Sequence, residues 1–208
     1  MNRFFYIIII LISFFISSCR INTNKDEKTF LIIEEFNLNR YSENGGKLYM
    51  VKTPYSVFNQ NDQSYLLNET NIKFFDKENV KYNINSDSAE LLNNKFLKLN
   101  GNVEMNDFKS DKTVIKSNNL FWYIDKTEFI LEGNVSLVNK TINLKSSKAL
   151  FDRKKDIITF YNPIEYNYND EDGIRKYNIS SENAYYNVLT KDVIFESKKD
   201  RVKSKIVF

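Results

Sequence analysis

The sequence predicts an all-β protein made of antiparallel two-strand repeats stacked one on the next. Three observations predict it. First, four segments align beneath one another: KYNINSDSAELLNNKFLKLNGNVEM from Lys81, TVIKSNNLFWYIDKTEFILEGNVSL from Thr113, TINLKSSKALFDRKKDIITFYNPIEY from Thr141 and KYNISSENAYYNVLTKDVIFES from Lys176. Their spacing of about 30 residues marks stacked supersecondary units. Second, apolar and polar residues alternate inside each unit with the period of a half-buried strand rather than of a helix, which makes helix an unfavourable reading after residue 30. Third, the 208 residues are 42% hydrophobic and 15% aromatic, with only two prolines and five glycines. That suffices for the core of one domain and is too apolar for a disordered chain.

From the N-terminus, Arg3 precedes an apolar run from Phe4 to Ile16, broken only by Ser13, and Ser17-Ser18-Cys19 comes next. The run is shorter than the roughly 20 residues that span a bilayer, so residues 1–18 are expected to be a secretory signal. Ile16-Ser17-Ser18-Cys19 also resembles a bacterial lipoprotein box. By that resemblance Cys19 becomes the first mature residue and carries lipid. The alternative is an uncleaved anchor helix with an incidental cysteine. Either way residues 30 onward lie on the far, periplasmic side of the inner membrane, with 19–29 a solvated tether and 30–208 the folded domain.

Asn44-Gly45-Gly46 supplies a turn before a degraded unit running from Lys47 to Phe75. In the complete units the second strands put Leu97, Leu99, Gly101, Val103 and Met105 on one face, then Phe129, Leu131, Gly133, Val135 and Leu137, then Ile158, Phe160, Asn162, Ile164 and Tyr166. The first strands carry Ser86/Ala89, Ser117/Leu120, Ser146/Ala149 and Ser181/Ala184. Apolar residues lie an even number of positions before each serine and an odd number after it, so the phase slips by one. Such a slip needs a bulge or a corner at which a strand passes to a facing sheet. Gly101 and Gly133 read as buried-face glycines, either at a tight bend or where room is left for a guest. Tyr168 to Tyr177 forms an extended hairpin tip with Asp172-Gly173, and Val202 to Phe208 starts one more strand at an edge.

The remaining composition excludes several chemistries. The formal charge is +3, or +2 without residues 1–18, too balanced to suggest a nucleic-acid partner. Without histidine there is no Ser-His or Cys-His nucleophile system and no imidazole metal site. Cys19 is the sole cysteine, so no intramolecular disulfide forms, and the phosphate-binding G-x-x-x-x-G-K-[ST] loop is missing. Neither a catalytic residue, a metal nor a cofactor is expected. Carboxylates such as Asp87 or Glu182 are what an enzyme reading would have to use.

The repeated "LxGNVxL" strands and "SxxA" corners, in register behind an export signal, resemble the lipopolysaccharide-export family of LptC and LptA from about Tyr49 to Phe208. The anchor and single domain are similar to LptC. That resemblance implies a β-jellyroll, open at its ends, whose apolar slot receives the acyl chains of lipid A. It further implies edge-strand pairing with an LptA-like bridge protein, and an inner-membrane permease and ATPase complex as energy source. The residues expected to line the slot are Leu97, Leu99, Val103, Met105, Phe129, Leu131, Val135, Leu137, Ile158, Phe160 and Ile164, for each of which a plain sandwich core is the other reading. Two departures stand out: lipid rather than a helix as anchor, and Asn162-Pro163-Ile164 in place of Gly-Asn-Val. A proline removes a ladder donor, so Pro163 belongs at an edge or bulge. The basic tail, Lys198, Lys199, Arg201, Lys203 and Lys205, fits either glycolipid phosphates or protection of an edge. An exported structural β-repeat protein with a dry core is the alternative function.

Overall fold

The computed structural model describes residues 30–107, 113–170, 173–198 and 201–207. Signal, Cys19 and tether fall outside them, as do Lys199 and the hairpin-tip residues 171–172. Fourteen strands and no helix occur among the described residues. They are β1 (Phe30–Tyr41), β2 (Lys47–Asn59), β3 (Ser64–Asp76), β4 (Asn79–Leu92), β5 (Phe96–Asp107), β6 (Val114–Tyr123), β7 (Glu128–Val138), β8 (Ile142–Asp152), β9 (Ile157–Tyr161), β10 (Glu165–Asp170), β11 (Gly173–Ser180), β12 (Asn183–Asn187), β13 (Val193–Glu196) and β14 (Lys203–Val207). Each pairs antiparallel with its neighbours, in the order β1 to β8 along the chain. Beyond β8 the ladder divides: β10, β11 and β14 continue one branch, β9, β12 and β13 the other.

The division reflects a crease that crosses every long strand. Register breaks fall between Asn85 and Ser88, Asn100 and Val103, Lys116 and Asn119, and Glu132 and Val135. One half of each of β1 to β8 thus belongs to a first sheet with β10, β11 and β14. The other half belongs to a second sheet with β9, β12 and β13. The phase slip at Ser-x-x-Ala is this crease.

Two kinds of residue build it, on alternate strands. In β2, β4, β6, β8 and the link from β11 to β12, a hydroxyl donates to the carbonyl two residues ahead: Thr53 to Tyr55 at 2.8 Å, Ser86 to Ser88 at 3.0 Å, Ser117 to Asn119 at 2.9 Å, Ser146 to Lys148 at 2.8 Å and Ser181 to Asn183 at 3.0 Å. A strand that bends leaves ladder groups unpaired, and a short hydroxyl side chain satisfies one of them locally. Ser117→Ala is therefore expected to lower the unfolding free energy by about 1–2 kcal/mol, read as a fall in the urea midpoint. A neutral result would show that the hydroxyl contributes nothing to the corner.

The partner strands take left-handed backbone instead: Glu35 in β1, Glu69 in β3, Gly101-Asn102 in β5, Gly133-Asn134 in β7 and Asn162 between β9 and β10, with φ from 43° to 77°. This corrects the expected placement of the two glycines. They do not point into the core; they sit partly exposed on the crease, each beneath a side chain of the preceding corner. A Cβ on Gly101 would run into the Asp87 carboxylate, and one on Gly133 would lie 2.8 Å from Asn118 Nδ2. The bend accounts for them, and no guest is needed.

Pro163 breaks the strand, as its missing N–H requires. β9 ends at Tyr161 and β10 begins at Glu165, and only Asn162 is left-handed where β5 and β7 each have two such residues. Pro163 takes the buried position in this break and Ile164 turns outward. Glu165 then lies opposite Lys145, the register that Ser136 has in β7, so Tyr166 packs on the core as expected. Strand β1 was not legible in the sequence, whereas the edge strand expected near the C-terminus is β14, paired to β11 alone.

Candidate functional site

The two sheets face each other across the crease with an offset of about four strands. Tyr49 of β2 meets Trp122 of β6, with ring centroids 4.9 Å apart. Phe74 of β3 meets Trp122 at 4.9 Å and Phe129 of β7 at 5.2 Å, and Tyr82 of β4 meets Phe151 of β8 at 5.2 Å. Tyr166 of β10 reaches Phe195 of β13 at 5.2 Å. The result is a long apolar layer between the sheets, closed along one side by the crease.

Of the eleven residues expected inside, ten are brought together there: Leu97, Leu99, Val103, Met105, Phe129, Leu131, Val135, Leu137, Ile158 and Phe160 are each at most 1% accessible and belong to one continuous cluster. The eleventh, Ile164, is 71% exposed on the outer surface, for the reason given by Pro163. The space between the sheets is filled by the protein's own side chains. The first strands of the units contribute as much as the second: Phe74, Leu120, Trp122 and Phe151 are buried in the same cluster. The alternation resumed after the phase slip was the signal that could have placed them among the slot residues.

The side opposite the crease is laced by polar contacts that no sequence pattern marked. Lys81 Nζ lies 2.7 Å from Asp156 Oδ1, and Tyr82 OH donates to the same oxygen at 2.5 Å, joining the end of β4 in one sheet to the β8–β9 turn of the other. Asn139 in the β7–β8 turn donates to Tyr186 OH of β12 at 3.2 Å. Arg153 lies over the rings of Phe74, Phe129 and Trp122, 4.5, 4.8 and 5.6 Å from their centroids. Burial pushes its guanidinium down to about 10, which leaves it charged at neutral pH. An open recess of about 200 Å³ at this clasp is lined by Phe74, Phe75, Asp76, Lys81, Tyr82 and Arg153.

At the β1 end the layer opens. The strand offset leaves the second-sheet portions of β1 to β3, residues 30–34, 55–59 and 64–68, without a full facing sheet, and Leu31 is 46% exposed there. Ile33, Phe36, Phe58 and Tyr65 are half-buried beside it. Phe36 and Phe58 pack on Tyr65 with centroids 5.1 and 4.6 Å away. These residues form an apolar mouth. Asp87 is exposed at the corner within β4, while Glu182, in the β11–β12 link, accepts a hydrogen bond from the Lys198 N–H; the two form no paired-carboxylate site. Among the described residues no group of acidic, cysteine or histidine side chains could hold a metal.

An all-β, two-sheet creased scaffold, with an apolar layer between its sheets and one open end, is the class of protein that such an architecture defines. The model of the family described as "Lipopolysaccharide-assembly, LptC-related" matches residues 5–149, and the chain belongs to that family. Among solved structures it is similar to LptH of Pseudomonas aeruginosa, the LptA-homologous periplasmic component of the lipopolysaccharide transport device. The identity is 8% and the TM-score 0.32, with 88% of this chain and 96% of that chain covered. No curated protein matches the chain in sequence.

Proposed function

We propose that this chain, as an LptC-related periplasmic component of lipopolysaccharide assembly, receives the acyl chains of the glycolipid between its two sheets and hands them to the next bridge protein. The observation that supports this reading is the uninterrupted apolar layer, closed by the crease on one side and by a few polar contacts on the other, leading to the half-exposed mouth at Leu31, Ile33 and Phe58. A chain of ~12 methylenes exposed to water costs about 10 kcal/mol, at ~0.8 kcal/mol per methylene, so a carrier needs only an apolar interior and no covalent step. Strands β1 to β8 run through the crease, so the sheets can part about it without breaking a ladder, once Lys81, Tyr82 and Arg153 release the far side. The anchor at Cys19, insertion through the inner membrane's outer leaflet, and pairing of β1 and β14 edges with a permease and an LptA-like bridge complete the proposal. Unpaired edges favour such augmentation by main-chain hydrogen bonds.

A photoreactive phenylalanine analogue at Leu131 is expected to capture lipopolysaccharide in cells, whereas one at Lys52, on the outer face, is not. Asp156→Ala, which frees the clasp, is expected to raise capture at Leu131 while lowering stability by about 2 kcal/mol, since it strands a partly buried ammonium and a hydroxyl. Absence of lipid adducts at Leu131, Phe129 and Leu31 alike, in a folded protein, would defeat the carrier reading and favour an exported scaffold with a dry core.

A further inference from the structure

Arg153 is a half-buried cation that makes no ion pair among the described residues, although Lys81, Lys116, Lys145, Lys148 and Lys155 each make one. It opens the β8–β9 turn, and the β6–β7 turn fixes it in place. Its backbone N–H donates to Thr127 O at 3.0 Å and its guanidinium to Lys126 O at 3.2 Å. The rings of Phe74, Phe129 and Trp122 cover the charge, and its Nε is buried without a hydrogen-bond partner. A guanidinium carries five N–H donors and no acceptor, and burying such a charge unpaired is costly. The open recess beside it, about 200 Å³, is lined by Lys81 as well. Lys81 holds both carboxylate oxygens of Asp156, at 2.7 and 3.0 Å, which occupies two of its three donors. The third donor, and the terminal N–H groups of Arg153 beyond the one given to Lys126, remain for a ligand.

We infer that this recess binds a phosphate group, with Arg153 presenting its planar fork to two phosphate oxygens and Lys81 adding a second charge. A phosphate spreads up to two negative charges over three acceptor oxygens, enough for a bidentate guanidinium and an ammonium at once. Arginine already fixed in orientation loses little freedom in forming those bonds. Asp76 also lines the recess and opposes an anion there, which sets a modest affinity. The recess stands on the side opposite the crease, and Phe74 belongs both to its lining and to the apolar layer. An amphiphile with its chains between the sheets therefore brings its head group to this height. Assigning the phosphate to the glycolipid rests on the carrier reading, whereas free phosphate would need only the recess.

The test uses the full chain in a neutral detergent and follows Trp122, the sole tryptophan, whose ring centroid lies 5.6 Å from the Arg153 guanidinium. Inorganic phosphate, exchanged for chloride at constant ionic strength, is expected to shift the emission saturably, with half-saturation near ~1 mM for two charge-assisted bonds. Arg153→Gln is expected to weaken binding about tenfold or more. Asp76→Asn, which leaves Arg153 on its rings, is expected to tighten binding about threefold by removing one like charge. A signal that does not saturate overturns the inference, as does an affinity that neither substitution changes. Should Arg153→Gln fail to fold, the Asp76→Asn result decides alone. Lipopolysaccharide and its chemically dephosphorylated form separate the two sources. A loss of about tenfold in Arg153→Gln for the intact glycolipid alone assigns the site to its head group. Equal affinity of the variant and the unaltered protein for both forms, with phosphate still bound by the latter, assigns it to free phosphate. Phosphate binding without lipid adducts at Leu131 defeats the carrier reading and leaves the site standing. Adducts at Leu131 without phosphate binding overturn the site alone.

Discussion

Phe129→Ala is expected to lower the unfolding free energy by about 4 kcal/mol, the loss typical of a buried phenylalanine whose surroundings cannot collapse. Phe129 is fully inaccessible and packs on Phe74, Trp122 and Phe151, residues drawn from both sheets, while Arg153 lies over its ring. Removing it empties the centre of the layer without touching the crease. With a denaturant slope of about 2–3 kcal/mol per molar urea, the midpoint should fall by roughly 1.3–2 M. A loss below about 1 kcal/mol would mean that the sheets are not in packed contact. The same variant reads on the carrier proposal, because the space opened is apolar. Added lipopolysaccharide is expected to restore more stability to Phe129→Ala than it gives the unaltered protein, and an equal gain in both would count against acyl chains entering between the sheets.

Gly133→Val is expected to cost about 3 kcal/mol, in two parts. A β-branched residue at φ 77° pays about 1–2 kcal/mol for the left-handed conformation. Its Cβ would also lie 2.8 Å from Asn118 Nδ2 and 3.0 Å from Asn118 Cβ, so the neighbouring corner must shift. Adding Asn118→Gly is expected to recover only the second part, and the shortfall measures the backbone requirement. Full recovery would show that φ carries no cost there. The crease should be the most substitution-sensitive line on the surface, although Gly133 and its neighbours are partly exposed.

The repeat, the antiparallel pairing and the corner at each serine were legible because each leaves a local trace: alternation with a period of two, a one-residue slip, a recurring Gly-Asn-Val. Ten interior residues are readable from that alternation. Ile164 is not, because proline cannot take the second left-handed position that Asn102 and Asn134 take in β5 and β7, so the backbone breaks locally and turns that residue outward before Tyr166 resumes the inward face. The glycines fall on the buried face only if the alternation is extended through a position where the backbone leaves the strand conformation. Strand β1 has a polar, exposed character at Glu34, Glu35 and Asn37 that conceals its edge role. The clasp of Lys81, Tyr82 and Asp156 joins residues about 75 positions apart and has no sequence signature. The mouth is hidden for a related reason: it is created by the offset between facing sheets, a property of how the whole ribbon folds over, and no single unit encodes it.

The splitting of the ladder after β8 has a mechanical consequence. Up to that strand the two leaves share one spine, and moving either one drags the other. After Tyr161 they are separate flaps, joined by the short links at 162–164 and 181–182 and by hydrogen bonds such as Asn162 to Glu182. The molecule is thus stiff toward its N-terminal end and slit toward its C-terminal end, so thermal breathing should grow along the chain, and amide protons of β10 and β12 should exchange before those of β4 and β6.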